Sequence, residues 1–420
     1  MHNQVVKLSL FLNYFVLAIL LNSVGIVIFQ VQNSYHVSES SASLLEAFKD
    51  LSIAITSFLV ASFITRFGLK RAMLLALATI GVACLFMPQV PEFWMAKLLF
   101  AVVGVSFALV KISVFSCVGL VTSNQREHAS LMNFLESFFM VGVLSGYFLF
   151  SAFVDDANPE SIGWLAVYYP LAGLIAFAFA LLLFTSLDET AAKKTNSGSA
   201  MSEFRDMLGL CFKPLVYVFI ICAFLYVLIE QSIMTWLPTF NSNELNMSAS
   251  LSIQMTSILA ASAALGRFSA GFALKRMDWY LLLVICLLAA AVLVVAVLPL
   301  TSLVGGDQVS RWADAPLAAY VFPLIGLCLA PVYPAINSVI LSALPKSQHA
   351  SMAGLIVVFS ALGGTIGSII TGTLFEVFDG KTAFYFSLVP LAAILASLHQ
   401  FKRQTDAINR AVPAMHKGSL

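Results

Sequence analysis

The sequence predicts an all-α membrane protein in which twelve transmembrane helices form two pseudo-symmetric six-helix bundles. Hydrophobic residues fill 60% of the 420 positions and charged residues only 10%, whereas a soluble domain carries about 25% charge. Twelve apolar runs approach the roughly 20 residues that a helix needs to cross a bilayer. The last six runs also repeat features of the first six. We therefore expect the chain to lie mostly within a lipid bilayer.

The twelve runs follow one another with short polar connections. The first run is long and ends in polar residues without a small-residue cleavage site, so we interpret it as a helix and not as a signal peptide. The third and twelfth runs are short. In order, the runs cover residues 8–32, 41–64, 72–87, 93–121, 129–153, 164–185, 215–240, 249–272, 279–300, 315–344, 350–375 and 383–398.

The distribution of Lys and Arg predicts the orientation. With the N-terminus in the cytoplasm, sixteen of the 22 basic residues fall in cytoplasmic segments, three in outer loops and three within the runs. Such an excess of positive charge marks the cytoplasmic side of a membrane protein. The sequence therefore predicts a multi-pass protein of the inner (cell) membrane with both termini cytoplasmic.

Two halves share short sequence matches in the same order. The pentapeptide at 67–71, FGLKR, corresponds to FALKR at 272–276, and HAS at 128–130 recurs at 349–351. Parallel repeats of six spans are typical of transporters with a central site. We predict an N-terminal bundle at 1–187, a polar cytoplasmic linker at 188–210, and a C-terminal bundle with a short cytoplasmic tail at 211–420.

The turn after the second run resembles the signature of the major facilitator superfamily, Gly-x-x-x-Asp-Arg-x-Gly-Arg-Lys. Arg66, Gly68 and Lys70 match it, whereas Thr65 replaces the acid and Ala61 the first glycine. The resemblance implies the major facilitator fold and a gating role for the three matching residues. It implies a gate-stabilising role also for Arg267, near the cytoplasmic end of the eighth run.

Three further segments are similar to particular branches of that superfamily. VYPAINS at 332–338 and GGTIG at 363–367 resemble the fucose–galactose–proton symporter branch, and NFLESFF at 133–139 resembles its TsgA-like relatives. The proton-linked acids of the fucose permease would fall near Ser23 and Leu109. Neither residue is acidic, so fucose specificity is not carried over.

Seven charged side chains lie inside the apolar runs, not counting Lys97, which we assign to the outer end of the fourth run. Charges at bilayer depth are costly and usually face a bundle interior or a water-filled cavity, which makes each a functional candidate. We predict four proton-coupling acids and two basic partners in the cavity, with the seventh charge, an arginine, assigned to the gate. The acids are Asp50, Glu136, Glu230 and Glu46, and the basic partners are Lys49 and Lys111.

Lys111 and Glu136 are predicted to lie at the same depth. They stand 13 residues before and 12 residues after the turn near Asn124, which places both about 18–20 Å from it at 1.5 Å per residue. They could pair directly or bracket one cavity. A proton-binding acid and a structural ion pair are both compatible with this placement, although buried ion pairs seldom add net stability.

The other acids fall in the second and seventh runs. Spacings of three and four place Glu46, Lys49 and Asp50 on one helix face, which suits a proton or cation site. Glu46 is near the outer end and could be solvated, so Asp50 ranks first. Glu230 is expected in the outer half of the seventh run, followed by a helix break near Pro238.

Uncharged polar and aromatic residues complete a possible solute site. Transporters use such groups to hydrogen-bond polar ligands, but bonding between helices explains them equally well. The candidates are Asn22, Tyr14, Asn133, Gln231, Trp236, Tyr333 and Asn337.

We predict a proton-coupled secondary transporter that moves a small polar or zwitterionic solute by alternating access. A proton-driven exporter of drugs or metabolites and a facilitative sugar uniporter are the alternatives. No nucleotide-binding loop, nucleophile–base arrangement or metal-ligand spacing occurs, so we expect no enzyme activity, no cofactor and no metal. The expected partners are the solute, protons and the lipid bilayer, without nucleic acid, and the chain is expected to be monomeric.

Overall fold

The computed structural model describes residues 2–61, 64–121, 125–187, 189, 205, 208–274, 276–303, 308–344 and 348–417. These residues are almost entirely helical. The predicted linker at 188–210 lies outside the described residues except at 189, 205 and its last three positions.

The first half of the chain contains spans 1 to 6. Short helices at Glu39–Ala42 and Ile64–Phe67 precede spans 2 and 3, and a 3₁₀ helix at Ile162–Val167 precedes span 6. Span 1 consists of His2–Asn22 and Val24–Tyr35, span 2 of Leu44–Ala61, span 3 of Leu69–Phe86, span 4 of Phe93–Val121, span 5 of Gln125–Ser151 and span 6 of Tyr168–Phe184.

The second half contains spans 7 to 12. Span 10 is divided into three helices, and span 12 into two. Span 7 is Pro214–Leu245, span 8 Ala249–Ala273, span 9 Trp279–Val297 with a 3₁₀ end at Leu298–Leu303, span 10 Leu317–Val321, Ile325–Leu329 and Val332–Ala343, span 11 His349–Val377, and span 12 Gly380–Tyr385 and Leu388–Lys417.

Twelve spans confirm the predicted fold. In the described part of the chain, eleven helices are long and apolar enough to cross a membrane. Span 2 is the twelfth. It is as long as span 3, at 18 residues, but it carries Glu46, Lys49 and Asp50. Those charges lower the apolarity of span 2 and are tolerated because they face protein and not lipid.

The predicted break near Pro238 is wrong. Span 7 is one helix of 32 residues with Pro238 inside it, and Glu230 lies near its middle. Proline removes one backbone donor, and membrane helices tolerate this because packed neighbours compensate the freed group. Pro238 is itself buried, so such neighbours are present.

The two bundles meet tightly at one face of the molecule. We call the face where span 1 begins and span 12 ends the terminal face, and the opposite one the far face. At the far face, the Ser40 amide donates to Glu376 Oε2 at 3.0 Å, and the Ser250 amide donates to Asp156 Oδ1 at 2.8 Å. Both bonds join the first half to the second and hold the far face closed.

Glycine allows the backbones of the two halves to approach closely. A Cβ atom at Gly25 in span 1 would lie 2.6 Å from the carbonyl oxygen of Thr235 in span 7. No side chain fits there, so the residue type itself sets the distance between these spans. Gly25 thus belongs to the same closed region as the far-face hydrogen bonds.

Candidate functional site

A cavity of about 160 Å³ lies between the two halves. Spans 1 and 5 form its first-half wall, and spans 7, 8 and 10 form its second-half wall. The wall is mostly apolar, with four polar or charged side chains, which is the usual composition of a small-molecule site. The polar members are Asn22, Glu230, Gln231 and Arg267.

An acid and a base face each other on the second-half wall. Glu230 Oε1 accepts a hydrogen bond from the Tyr226 hydroxyl at 2.7 Å and lies 3.4 Å from Arg267 Nη2. Arg267 also reaches Met140 Sδ of span 5 at 3.7 Å. Because 44% of the Arg267 side chain is exposed, the guanidinium retains donors that a solute can use.

The structure therefore places Arg267 in the cavity. The sequence placed it near the cytoplasmic end of its run, in a gate. Its neighbours are instead a cavity carboxylate and a methionine of the opposite half, because Glu230 supplies the counter-charge that an arginine needs at this depth. Its gating role stays a prediction.

Glu136 and Lys111 lie on the first-half side of the interior. The Tyr14 hydroxyl donates to Glu136 Oε1 at 3.1 Å, and the Lys111 ammonium lies 5.4 Å from the ring centroid of Phe107. No ion pair joins Lys111 to Glu136, both of which the structure describes, although each is within range of the other's charge. Direct pairing, one of the two arrangements open from the sequence, is therefore not present, and neither residue is among those that line the cavity.

Aromatic rings surround these first-half charges. Tyr14 packs against Phe139 with ring centroids 4.9 Å apart and against Phe115 at 6.1 Å, and Phe139 also lines the cavity. Rings of this kind cover apolar faces of a bound solute, while Tyr14 keeps its hydroxyl on Glu136. The cluster therefore presents both an apolar surface and a charge to the interior.

Tyr333 and Asn337 lie on span 10, beside the Glu230 group. The Tyr333 hydroxyl bonds to Ser360 Oγ at 2.7 Å, and its ring stacks on Tyr226 at 5.5 Å. Asn337 Oδ1 is buried without a hydrogen-bond partner among the described residues. An unpartnered buried amide is costly, so Asn337 can accept a hydrogen bond from a solute or from water.

Glu46, Lys49 and Asp50 form a second charged group, which we call the gate triad. Lys49 bonds to Glu46 and lies 3.4 Å from Asp50 Oδ1. All three side chains are buried, and Glu46 is 0% exposed, so the expectation that it could be solvated is wrong. The Thr235 hydroxyl of span 7 covers it by donating to Glu46 Oε2 at 3.0 Å.

Trp236, a predicted solute-site residue, does not line the cavity. Trp236 is fully buried, and its Nε1 donates to Ser368 at 3.2 Å in the packing between spans 7 and 11. The side chains of Asn133 and Arg66 lie outside the described part of the structure. Their predicted roles in binding and gating stay predictions.

The turn before span 3, which resembles the superfamily signature, binds a carboxylate from a distant segment of the chain. Gly68 has φ +103°, a value that disfavours any side chain, and the amides of Leu69 and Lys70 donate to Glu189 at 3.0 and 2.7 Å. The Lys70 ammonium donates to the carbonyl oxygens of span 6. Thr65 thus replaces the signature acid, and Glu189 supplies a carboxylate at the start of span 3, where the helix dipole favours one.

Sequence reasoning missed several residues of these groups. Tyr226 stands four positions before Glu230, and this helical spacing was a signal that could have revealed it. Thr235 and Met140 meet their partners from another half of the chain. Nothing in the local sequence marks them.

The family model that matches this chain is that of the Major Facilitator Superfamily, over residues 10–368. The chain belongs to this superfamily. It is accordingly a transporter and not an enzyme, and it lies in the membrane as a multi-pass protein. The resemblance noted in the sequence is confirmed.

The chain is similar to several named transporters. The chain is 26% identical to the glucose/mannose transporter GlcP of Bacillus subtilis (strain 168) over 371 residues, which are 83% of this chain and 86% of GlcP. The nucleoside transporter NupG has a similar fold, with TM-score 0.72 and 16% identity over 93% of this chain and 98% of NupG. The E. coli fucose:proton symporter FucP matches with TM-score 0.60 and 13% identity, over 96% and 99% of the two chains.

Proposed function

We propose that this protein is a proton-coupled secondary transporter of a small polar or zwitterionic solute, with sugars as the first class to test. The observation that carries the proposal is the cavity between the halves, where Glu230 and Arg267 line the wall. In this proposal the protein lies in the inner membrane with its terminal face on the cytoplasmic side. The solute site is open to one face of the membrane at a time.

The charges around the cavity support a polar solute. Arg267 offers donors suited to hydroxyl or carboxylate oxygens, and Glu230 offers acceptors suited to hydroxyl or ammonium groups. The donors and acceptors that these two residues do not use on each other would stay without partners against a purely apolar compound, which is costly. The sugar class is supported by the similarity to GlcP, a glucose/mannose transporter.

Membrane carboxylates support proton coupling. Among the described residues, Glu136 accepts a hydrogen bond from an uncharged hydroxyl, that of Tyr14, and no ion pair occupies this carboxylate. Proton symport is stated for FucP, a solved structure of the same fold. The proton-driven exporter would use the same acids with the opposite direction of net flux, and the uniporter would use them as structure.

The experiment is solute transport in proteoliposomes with Glu136→Gln. If Glu136 is a coupling acid, this variant loses accumulation of D-glucose or D-mannose against a gradient but keeps exchange of labelled solute between pools. Normal accumulation would exclude Glu136 as the coupling acid. The control is Glu92→Gln, which removes an exposed loop carboxylate and should leave both assays unchanged.

A further inference from the structure

The gate triad lies where the two halves close over the cavity, on the side of the far face. Thr235 of span 7 bonds to Glu46 of span 2 across the halves. A Cβ at Gly364 of span 11 would lie 2.5 Å from Asp50 Oδ2 and 3.2 Å from Gln231 Cγ. Since Gln231 lines the cavity, the triad separates the cavity from the far face.

The charges within the triad do not balance. Two carboxylates share one ammonium group, and Glu46, Lys49 and Asp50 are at most 6% exposed. With both acids ionised, a net negative charge stays buried between the halves. Burial of an uncompensated charge is strongly unfavourable, so the closed arrangement requires a proton on one of the two acids.

Of the two acids, Asp50 has fewer donors to its carboxylate among the described residues. Glu46 accepts hydrogen bonds from Lys49 and from Thr235. Asp50 has Lys49 at 3.4 Å as its ion-pair partner. The charged groups that act on Asp50 are Lys49 and Glu46 of its own helix. The packed spans 4, 7 and 11 bring uncharged residues to the triad: Gly104, Gln231, Thr235 and Gly364.

We infer that Asp50 is a proton-binding site of the far-face gate, separate from the acids of the solute cavity. The gate closes when Asp50 is protonated, because the triad is then neutral. Loss of the proton leaves a buried negative charge, and the halves separate so that water reaches it. The proton is thus bound and released as the gate moves. This inference rests on the proposed transport function, because it specifies where that cycle takes up its proton.

The direction of the pH dependence follows from the charge. At low pH the neutral triad favours a closed far face. As pH rises and Asp50 ionises, the open far face gains population. Asp50→Asn carries no titrating group and keeps the size of the side chain, so it holds the gate closed at every pH.

The test measures the gate without transport. Exposed positions at the far face, Glu160 in the first half and Asn243 in the second, are changed to cysteine and spin-labelled in the full-length protein in nanodiscs. The half-buried Cys211, Cys286 and Cys328 are replaced by serine. Pulsed electron paramagnetic resonance gives the distribution of distances between the two labels at about pH 5 and about pH 9. These pH values bracket the titration of buried carboxyl groups.

In the parent protein we expect the short distance to dominate at low pH and the long one at high pH. Asp50→Asn should abolish this shift and leave the short distance at both values. Asp314→Asn removes an exposed carboxylate and should keep the shift. A parent distribution that does not change with pH, or a full shift in Asp50→Asn, would overturn the inference.

A second variant covers the case in which Asp50→Asn does not fold. Gly364→Ala keeps all charges but places a methyl group against Asp50 Oδ2, so it should lengthen the distance at low pH. Gly173→Ala is the control, because nothing lies within 4 Å of its Cβ position. A short distance in folded Gly364→Ala contradicts the packing on which the inference depends.

Failure of the inference and failure of the proposed function give different results. If transport moves protons while the gate does not respond through Asp50, the function stands and the inference fails. If the gate responds through Asp50 and no solute moves protons, the coupled-transport proposal fails.

Discussion

The charged residues of the interior form two groups with different surroundings. Glu230 and Arg267 are partly exposed to the cavity, at 26% and 44% of their side chains, whereas the gate triad is sealed between helices. Exposure leaves Glu230 and Arg267 hydrogen-bonding capacity for a solute, whereas the groups of the gate triad bond to one another and to Thr235. The chemistry of binding thus belongs to the first group, and that of closing the far face belongs to the second.

Arg267→Gln tests the role of the cavity arginine. The Arg267–Glu230 pair is partly solvated, and such pairs contribute about 0.2–1 kcal/mol, so the midpoint of thermal unfolding should fall only slightly. Transport of D-glucose or D-mannose should fall at least about tenfold, equivalent to the loss of about 1.4 kcal/mol of binding. Uptake and unfolding are measured on the same preparation. Unchanged uptake would show that Arg267 does not contact the solute.

Trp236→Phe separates packing from binding at a residue that the sequence proposed for the solute site. The indole Nε1 bonds to Ser368, and removal of one such bond costs about 1 kcal/mol. We expect a lower midpoint of thermal unfolding and an unchanged solute KM. A raised KM with an unchanged midpoint would place Trp236 in the solute site after all.

At the scale of helices, glycines control two kinds of contact. Gly25 packs against Thr235 of the other half, whereas a Cβ at Gly142 in span 5 would lie 2.7 Å from the carbonyl oxygen of Phe15 in the same half. In the proposed cycle, the first contact forms only when the far face is closed. The second is part of a bundle that moves as one body in the proposed cycle.

Alanine substitutions at these glycines should therefore differ in effect. Gly25→Ala should open the far face and leave the bundle folded, while Gly142→Ala should lower the midpoint of thermal unfolding. Distances between far-face labels and thermal unfolding measure the two effects. Gly271→Ala, with nothing within 4 Å of its Cβ position, is the control for both. Equal effects of Gly25→Ala and Gly142→Ala would contradict this division.

Hydropathy predicts the helices of this chain well, but it predicts the contacts between them poorly. The twelve runs correspond to the twelve spans because each must satisfy its backbone within lipid. The spacing of Glu46, Lys49 and Asp50 also placed them correctly on one face. One feature was missed for a physical reason: Pro238 was expected to break a helix that its buried surroundings preserve.

Local sequence patterns could not predict the contacts between distant segments. Thr235 and Glu46 are 189 positions apart, and Glu189 meets Leu69 across 120. No periodicity connects such residues, because the packing of whole bundles decides which of them meet. The same packing determines whether Asp50 faces water or protein, so the sequence alone ranked the acids without separating the gate from the cavity.

For the whole molecule, the account joins a closed far face to a polar cavity between two bundles. The far-face bonds from Ser40 and Ser250 to acidic partners and the gate triad all hold the same side shut. A transporter that uses alternating access must break this set of contacts in each cycle. The cost of breaking them must be repaid by solute and proton binding.

The central claim is that solute movement through this protein carries protons. The direct measurement is the internal pH of proteoliposomes that contain the protein and a pH-sensitive dye, after external addition of D-glucose, D-mannose, or pooled sugars, nucleosides and amino acids. The account predicts that one of these solutes changes the internal pH, and that Glu136→Gln or Asp50→Asn abolishes the change. Uptake of a solute with no change in internal pH would contradict proton coupling and favour facilitated transport.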